Sequence, residues 1–394
     1  MPDIVLVLNA GSSSTKFGLY EVDLGYPQLL SRGILDLGDR RLSAKAADGS
    51  VLVDRELVAD QQDYAGFGAL LGWLDERAGV GGLVAVGHRI VHGGRSFDEP
   101  VLLTQSNIET VREITPLAPL HQPRTLVGVD AIARLRPGLP QIGCFDTAFH
   151  KSLDATVSRI ALPRNYEAEG VRRYGFHGLS YEYIATRLRD ISPELARKRT
   201  VVAHLGNGAS LCAMRDGKSV DTTMGFSALD GLVMGTRPGG TDPGVLLYLL
   251  MQKNMSPAEL EDLLYHKSGL LGVSGVSAEM RALITDTGDA AREAVELFVF
   301  RAARETAALA NTLEGLECLV FTAGIGEHSA PVRSAICDKL RWLGVELDAA
   351  ANQIHADVVS SKDSAVEVRV IPTDEEMVIA RHILAVKRFT MASI

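Results

Sequence analysis

The sequence predicts an α/β protein built from two related halves. Short runs of β-branched and other apolar residues alternate with helical patterns along the chain, as is typical of α/β folds. Two segments, VLVLNAGSSSTKFGLYEV and TVVAHLGNGASLCAMRDG, share one plan of apolar strand, Gly/Ser turn and second strand. Asn9 and His204 hold matching places in these predicted hairpins, 195 residues apart. Because 394 residues is also the usual size of two domains, we expect a duplicated domain with a ligand cleft between its halves.

The predicted elements are justified by their apolar patterns. Strands are expected at 4–8, 84–86, 142–145, 201–203, 319–322 and 366–371. The clearest helix covers 290–313, where apolar residues recur every three or four positions, and Asp289 is its predicted N-cap. A second helix begins near Ser180 and carries Tyr183, Ile184 and Leu188 on one face.

Charge and apolar content exclude several classes of protein. The 40 basic and 49 acidic side chains give a formal charge of −9, which argues against a general nucleic-acid binder. Apolar stretches fall short of the roughly 18 residues that span a bilayer, and the first residues lack the pattern of a secretory signal. We therefore expect a cytoplasmic protein without nucleic-acid or membrane partners. The four cysteines show neither CxxC pairs nor zinc-ligand spacing, so buried, reduced side chains are expected.

Glycine is unusually abundant, because 38 of the 394 residues, about 9.6%, are glycine against a typical content of about 7%. Three segments, NAGSSSTK, HLGNGAS and FTAGIGEHS, follow apolar strands and combine glycine with hydroxyl or charged groups, which is suitable for binding phosphate. The dinucleotide and P-loop motifs are absent from them. Any one of these segments is more often a plain structural turn, but three together favour a nucleotide.

Arginine and acidic side chains adjoin these glycines. Arg89 and Arg237 lie beside glycine clusters, which suits bidentate recognition of an oxyanion. Asp146 follows a predicted strand, and the acidic run 374–376 stands at a strand-to-helix junction. These acids are candidate metal ligands, although acids also favour the first turn of a helix for electrostatic reasons alone. Phosphoryl transfer uses such cations together with a metal ion.

Nine segments in order, NAGSSSTK, HRIVHGG, PLHQP, FDTAFH, YGFHG, HLGNGAS, MGTR, FTAGIGE and IPTDEE, closely resemble the acetokinase family. The resemblance implies two duplicated actin-like (ribonuclease H-like) ATPase domains with an interdomain active-site cleft. It also implies a homodimer and reversible phosphoryl transfer from ATP to acetate with Mg²⁺, for which Mn²⁺ can substitute. The implied domains are 1–149 plus about 376–394, on the acyl and phosphate side, and 150–375, on the nucleotide side.

The resemblance also implies a role for individual residues. The catalytic positions are Asp146, His177 and Arg237, and the metal positions are Asn9 and Glu375. Acetate would contact Arg89, Val91, Leu120, His121 and Phe176. ATP would contact Ser12, Ser14, Lys16, His204, Leu205, Gly206, Asn207, Gly208, Glu279, Met280, Arg281, Gly324, Ile325, Gly326, Glu327 and His328.

A role for Asp146 as general base conflicts with simple chemistry. Acetate is already ionised at pH 7, so a general base offers little rate gain. We therefore expect Asp146 to orient Arg237 or a metal-bound water, and Asp146→Asn to lower kcat with little change in the KM for acetate.

The chain departs from the family pattern at four positions. Glu279 stands for Asp, His328 for Asn, Ala228 for Pro and Tyr181 for His. The first two put the nucleotide preference in question, and Ala228 leaves room for a larger acid. The alternatives are a propionate kinase or another short-chain acyl kinase, a sugar kinase, and a nucleotide switch resembling Hsp70 or actin.

Overall fold

The structure is a computed structural model that describes residues 3–11, 14–22, 25–57, 64–78 and 82–392, the last six by their backbone alone. The chain divides into two compact units. The N-terminal unit comprises Met1–Ala148 and Asp374–Ile394, and the C-terminal unit comprises Phe149–Thr373.

Strands and helices alternate through the described residues. The strands are β1 (Ile4–Ala10), β2 (Ser14–Glu21), β3 (Gln28–Asp36), β4 (Arg41–Ala46), β5 (Val51–Glu56), β6 (Leu83–Ile90), β7 (Val101–Leu102), β8 (Gln141–Phe145), β9 (Thr200–Leu205), β10 (Ala209–Arg215), β11 (Lys218–Thr222), β12 (Cys318–Thr322) and β13 (Glu367–Val370). The helices are α1 (Ala65–Ala78), α2 (Gln105–Glu113), α3 (Gln122–Leu135), α4 (Ala155–Ser158), α5 (Arg164–Ala168), α6 (Gly178–Ile191), α7 (Pro193–Arg197), α8 (Pro243–Met251), α9 (Pro257–His266), α10 (Gly269–Ser274), α11 (Met280–Thr285), α12 (Asp289–Thr312), α13 (Ala323–His328), α14 (Ala330–Asp338), α15 (Ala349–Gln353) and α16 (Glu375–Ala392).

Each unit contains one sheet, and the two sheets share a common plan. The N-terminal sheet has the order β5-β4-β3-β2-β1-β6-β8-β7, and the C-terminal sheet has the order β11-β10-β9-β12-β13. In both, the first three strands of the unit pair antiparallel, and the first strand pairs on its other side with a parallel strand. A second parallel strand follows it in each sheet. The predicted duplication of an α/β domain is therefore confirmed.

The matched hairpins hold the same place in the order of the two sheets, and Asn9 and His204 are each the last residue but one of their strand. Asn9 pairs with Lys16 across β1 and β2, and His204 pairs with Ser210 across β9 and β10. Every residue of β9 and β12 is buried, as expected for central strands covered on both faces. Gly87 of β6 allows α16 to pack closely, because an added Cβ would lie 2.5 Å from Ile379.

The predicted helices are present, with two corrections. The long helix begins at Asp289, and its N-cap is Gly288, so Asp289 occupies the first helical turn instead. Ile184 and Leu188 are buried on one face of α6, as predicted. The FTAGIGEHS segment does not form a glycine turn, since it enters α13 directly after β12 and places Gly324 and Gly326 inside the helix.

All four cysteines are buried and free, as predicted. Among the described residues, no helix combines the length and the apolar character that crossing a membrane requires.

Candidate active site

Polar side chains meet where the central parallel strands of the N-terminal unit end. Asn9 lies near the end of β1, Arg89 near the end of β6 and Asp146 directly after β8, while Glu375 and Glu376 open α16. Asn9 Nδ2 donates to Glu375 Oε2 at 3.1 Å and to Glu376 Oε1 at 3.0 Å. Arg89 Nη1 donates to Asn9 Oδ1 at 3.1 Å. Five residues predicted or weighed from sequence therefore form one connected cluster.

Asp146 is the main partner of Arg89 in this cluster. Its Oδ2 accepts from Arg89 Nε at 2.9 Å and from Nη2 at 2.6 Å. Burial raises the pKa of Asp146 to about 6, although Arg89 opposes the shift. Burial also disfavours the charged guanidinium, but the Asp146 and Glu375 carboxylates outweigh it and raise the pKa of Arg89. Asp146 is predicted from the sequence to orient Arg237 or a metal-bound water, and in the structure it holds Arg89.

The same cluster carries a surplus of negative charge. Burial and the neighbouring Glu375 carboxylate raise the pKa of Glu376, an effect that a bound cation would relieve. Asp146 Oδ1 is buried and has no hydrogen-bond partner among the described residues. The described residues contain no group of three or more His, Cys, Asp or Glu arranged to hold a metal. Glu375 and Glu376 could still contribute to a Mg²⁺ site, because Mg²⁺ commonly uses only one or two protein carboxylates and completes its shell with water and phosphate.

The predicted acetate-contacting residues of the N-terminal unit lie on two neighbouring segments. Val91 follows β6 and is buried, and Leu120 and His121 immediately precede α3. Gln122 joins the segments, because its Nε2 donates to His92 O at 3.0 Å. The sequence analysis did not identify Gln122. The motif PLHQP contained the signal, since a glutamine among apolar residues and prolines is a candidate buried hydrogen-bonding group.

The first glycine-rich segment closes the β1–β2 hairpin. Gly11 N donates to Ser14 O at 2.8 Å. Lys16 is exposed and pairs in register with Asn9. Ser12, a predicted ATP contact, lies outside the described residues.

In the C-terminal unit, two cationic or polar groups converge on Gly208. An added Cβ at Gly208 would lie 2.7 Å from Arg237 Nη2 and 3.4 Å from His177 Nε2. Arg237 Nη1 donates to Ala228 O at 2.7 Å, which fixes the guanidinium. Within 149–373, all of which is described, no carboxylate lies within ion-pair distance of Arg237. This half-buried cation is therefore suited to an external anion.

Burial lowers the pKa of Arg237 to about 10, and nearby Tyr265 opposes the shift. The guanidinium thus remains charged at neutral pH without a carboxylate partner in its own unit. Gly235 brings the MGTR segment against the HLGNGAS turn, because its N donates to Asn207 O at 2.9 Å. Two motifs that are separate in sequence consequently meet at one place.

His177 and His204 stack on each other beside this turn. Their ring centroids lie 4.2 Å apart with an interplanar angle of 16°. His177 has a left-handed backbone, with φ of 58°, at the N-cap of α6. The carbonyl of buried Phe176, a predicted acetate contact, lies 3.0 Å from His150 Nε2. This contact supports the strained backbone that presents the His177 ring.

A cavity of about 560 Å³ adjoins the same turn in the C-terminal unit. That volume lies within the range of small-molecule sites. Eight of the predicted ATP contacts line it, namely Gly206, Asn207, Glu279, Met280, Arg281, Gly324, Ile325 and His328. Sequence reasoning missed Ile284 and Pro331, which also line it. Ile284 was detectable, because it stands one helical turn after Met280 on α11.

Other predicted ATP contacts do not line the cavity. The side chain of Leu205 is fully buried, and Gly208 and His204 belong to the β9–β10 hairpin beside the cavity. Glu327 faces inward, where its Oε1 accepts from Ala323 N at 2.8 Å and from Thr373 N at 3.1 Å. This carboxylate therefore fixes the start of α13.

Arg333 supports the other end of α13 and was not identified from sequence. The residue is fully buried, and its Nη1 donates to Gly326 O at 2.8 Å and to Glu327 O at 2.9 Å. Its Nε donates to Asn352 Oδ1 at 2.8 Å. The guanidinium thus satisfies carbonyl groups at the end of the helix that lines the cavity.

The chain resembles known proteins over nearly its whole length. A sequence model of the acetokinase family matches residues 4–381. An acetate kinase of Rhodopseudomonas palustris is 51% identical over 390 residues, covering 97% of this chain and 98% of that protein. The crystal structure of Porphyromonas gingivalis acetate kinase is 36% identical with a TM-score of 0.86, covering 98% of this chain and 100% of its own. A propionate kinase from Francisella tularensis is 35% identical with a TM-score of 0.89, covering 96% and 98% of the two chains. With a match across nearly its whole length, the chain belongs to the acetokinase family.

Proposed function

We propose that this protein is an acetate kinase, which transfers the γ-phosphoryl group of ATP reversibly to acetate and forms acetyl phosphate and ADP. The observation that carries the proposal is the convergence of Arg237 Nη2 and His177 Nε2 on the position that a Cβ of Gly208 would occupy. This convergence lies next to a cavity of nucleotide size lined by the same β9–β10 turn. Nucleotide recognition and stabilisation of phosphoryl charge are thereby assigned to the C-terminal unit.

Acetate binding is assigned to the N-terminal unit. Arg89 supplies the cation for the acetate carboxylate, and its Nε and Nη2 are held by Asp146. Val91 and Leu120 supply apolar surface for the methyl group, and His121 lies beside Leu120. Phe176 stays a predicted acetate contact. The carboxylate oxygen of acetate is the nucleophile, and it needs no deprotonation at neutral pH.

The transferring phosphoryl group spreads negative charge over its equatorial oxygens, so fixed donors accelerate the reaction. Arg237 offers a forked donor that one bond to Ala228 O keeps in place. His177 offers a second donor through Nε2. Mg²⁺ held through Asn9 and Glu375, with Glu376 beside them, would neutralise charge on the phosphate oxygens. Ser14 and Lys16 of the hairpin are assigned to the phosphates, and Mn²⁺ is the first substitute to examine.

A hydroxamate assay for acyl phosphate tests the proposal directly. ATP, Mg²⁺ and acetate should give acetyl hydroxamate, and Arg237→Lys should lower kcat by about 100-fold, because an ammonium group lacks the planar fork whose separate nitrogens reach Ala228 O and the phosphoryl group. Arg215→Lys is a matched control, since Arg215 also donates to a backbone carbonyl of this unit, Leu313 O at 2.8 Å. Absence of acyl phosphate from every short carboxylate would overturn the proposal. Acetate-independent ADP release with a sugar, or ATP-dependent partner binding without turnover, would favour the kinase or switch alternatives instead.

Propionate is the second candidate substrate. The observation that favours it is the propionate kinase from Francisella tularensis, which resembles this chain at 35% identity over nearly its full length. One methylene discriminates substrates by only about 1–3 kcal/mol. The ratio of kcat/KM for acetate, propionate and butyrate decides between the assignments.

We also propose that the protein acts as a homodimer in the cytoplasm, where ATP is available. Helix α8 has no buried residue and no charged residue, and it exposes Val245, Leu247, Tyr248 and Met251. An exposed helix this apolar is typical of the core of a homodimer interface. Leu247→Glu should convert a dimer to a monomer in analytical ultracentrifugation, whereas Leu162→Glu, at another exposed leucine of the same unit, should not.

A further inference from the structure

A short hydrogen-bond chain of two buried hydroxyl groups connects Tyr181 to Nδ1 of His177. Tyr181 Oη lies 2.6 Å from Ser210 Oγ, and Ser210 Oγ lies 2.8 Å from His177 Nδ1. Tyr181 and Ser210 are both 0% exposed. The backbone repeats the connection, because Tyr181 N donates to His177 O at 3.1 Å in the first turn of α6. The two residues are therefore joined through both main chain and side chain.

The number of hydroxyl hydrogens in this chain determines which group donates and which accepts at each hydrogen bond. Each hydroxyl has a single hydrogen to donate. Within 149–373, all of which is described, Ser210 Oγ is the only hydrogen-bond partner of Tyr181 Oη. The Tyr181 hydrogen is satisfied when it points at Ser210 Oγ, and the Ser210 hydrogen is then available to His177 Nδ1. In that arrangement Nδ1 is a bare acceptor, and the neutral imidazole carries its proton on Nε2.

The opposite arrangement leaves a buried donor unsatisfied. If His177 Nδ1 carried a proton, it would donate to Ser210 Oγ. The hydroxyl groups of Tyr181 and Ser210 would then have two hydrogens to donate and only one acceptor between them. Either the Tyr181 hydrogen or the Ser210 hydrogen would then lack a partner in a site without exposed surface. A buried donor without a partner is costly, so both the Nδ1–H tautomer and the imidazolium are disfavoured.

We propose that Tyr181 is a positioning residue that acts through Ser210 to hold His177 as the neutral Nε2–H tautomer. His177 Nε2 lies 3.4 Å from the position that a Cβ of Gly208 would occupy, and Arg237 Nη2 lies 2.7 Å from the same position. A proton on Nε2 makes His177 a donor toward an anion at that place, as the charge of a transferring phosphoryl group requires. The inference rests on the proposed function for the role of His177, but the tautomer is a property of the resting protein.

A parallel link supports this interpretation of α6. The residue before Tyr181, Ser180, places its Oγ 2.8 Å from Nδ1 of His204. His204 stacks on His177. The first turn of α6 thus contacts Nδ1 of both stacked histidines, one directly and one through Ser210.

The tautomer can be measured without any variant. Protein labelled with ¹⁵N-histidine and read by long-range ¹H–¹⁵N correlation reports which ring nitrogen carries the proton. The His177 signals are assigned as those missing from His177→Gln. We expect a protonated Nε2 and a bare Nδ1 at neutral pH. A proton on Nδ1 of the wild-type protein would overturn the proposal.

Variants then test the part played by Tyr181. In Tyr181→Phe the Ser210 hydroxyl can donate or accept, so we expect the His177 signals to shift toward a mixture of tautomers. The value of kcat should fall by about tenfold, with KM for ATP and acetate within twofold, since the loss concerns one oriented donor. Tyr174→Phe is the matched control, because Tyr174 is also buried and its hydroxyl donates elsewhere, to Gly170 O at 2.7 Å.

The outcomes separate this proposal from the proposed function. Unchanged His177 signals in Tyr181→Phe would exclude the relay even if the enzyme remains an acetate kinase. Full activity of His177→Gln would remove His177 from the phosphoryl-transfer step, while the tautomer measurement would still decide what Tyr181 and Ser210 do.

Discussion

Arg89 directs two nitrogen atoms at a single oxygen of Asp146, with Nε at 2.9 Å and Nη2 at 2.6 Å from Oδ2. The third donor group, Nη1, bonds Asn9 Oδ1 at 3.1 Å. Asp146 therefore fixes the plane of the guanidinium that we assign to the acetate carboxylate. We infer from this relationship a role for Asp146 at the acyl group, and such a role changes the kinetic effect that a substitution should have.

Asp146→Asn should raise the KM for acetate by about tenfold or more, in addition to lowering kcat. The amide keeps the size of the side chain but removes the charge that orients Arg89, and charge-assisted hydrogen bonds are roughly twice as strong as neutral ones. Steady-state kinetics with acetate as the varied substrate measures the effect. Asp130→Asn is the control, since Asp130 forms an exposed ion pair with Arg112 in the same unit. A KM within twofold of wild type would restore the role expected from sequence.

Gly208→Ala should lower kcat by about 100-fold while leaving stability unchanged. The new methyl group would stand 2.7 Å from Arg237 Nη2, which is the end of a flexible side chain. The guanidinium can move away, and it would then no longer be positioned to bind the phosphoryl group. The backbone is not strained, because Gly208 is not among the glycines with positive φ.

Thermal melting together with the hydroxamate assay separates these effects. Gly72→Ala serves as the control, because an added Cβ there meets no atom within 4 Å. Normal turnover by Gly208→Ala would show that the anion does not bind at this glycine.

Much of the fold and the site could be predicted from local pattern. The matched hairpins predicted the duplication because Asn9 and His204 are each the last residue but one of the first strand in their unit. Glycine content alone could not separate turns from helices, so FTAGIGEHS was interpreted as a loop although it begins α13. The partner of Asp146 could not be predicted from the sequence either. Its contact with Arg89, which lies 57 positions earlier, depends on the parallel pairing of β6 and β8. Arg333 belongs to no recognisable motif, and its role becomes visible only from its burial and its hydrogen bonds in the structure.

Arg333→Met should destabilise the protein and raise the KM for ATP. The substitution fills a similar volume but leaves the carbonyls of Gly326, Glu327 and Asn352 without this donor, and each buried orphan costs roughly 1–3 kcal/mol. We expect a loss of about 3 kcal/mol or more in the free energy of unfolding. Helix α13 lines the nucleotide cavity, so ATP binding should weaken before acetate binding does.

Urea titration and substrate kinetics measure both effects of Arg333→Met. Arg341→Met, at an exposed arginine that pairs with Asp338, provides the control. Wild-type stability in Arg333→Met would contradict the capping role.

Acid should destabilise the protein through its buried histidines. Burial lowers the pKa of His88, His92 and His150 to about 4 in the folded protein. The unfolded chain binds protons near the ordinary value of about 6.5, so it takes up more protons between these values and stability falls as pH drops from 6.5 toward 4. Each histidine should cost about 2 kcal/mol between pH 7 and pH 5. In urea titrations, His150→Asn should be less stable at pH 7 but lose about 2 kcal/mol less than wild type on going to pH 5. An equal loss in the two proteins would show that His150 is not held neutral by burial.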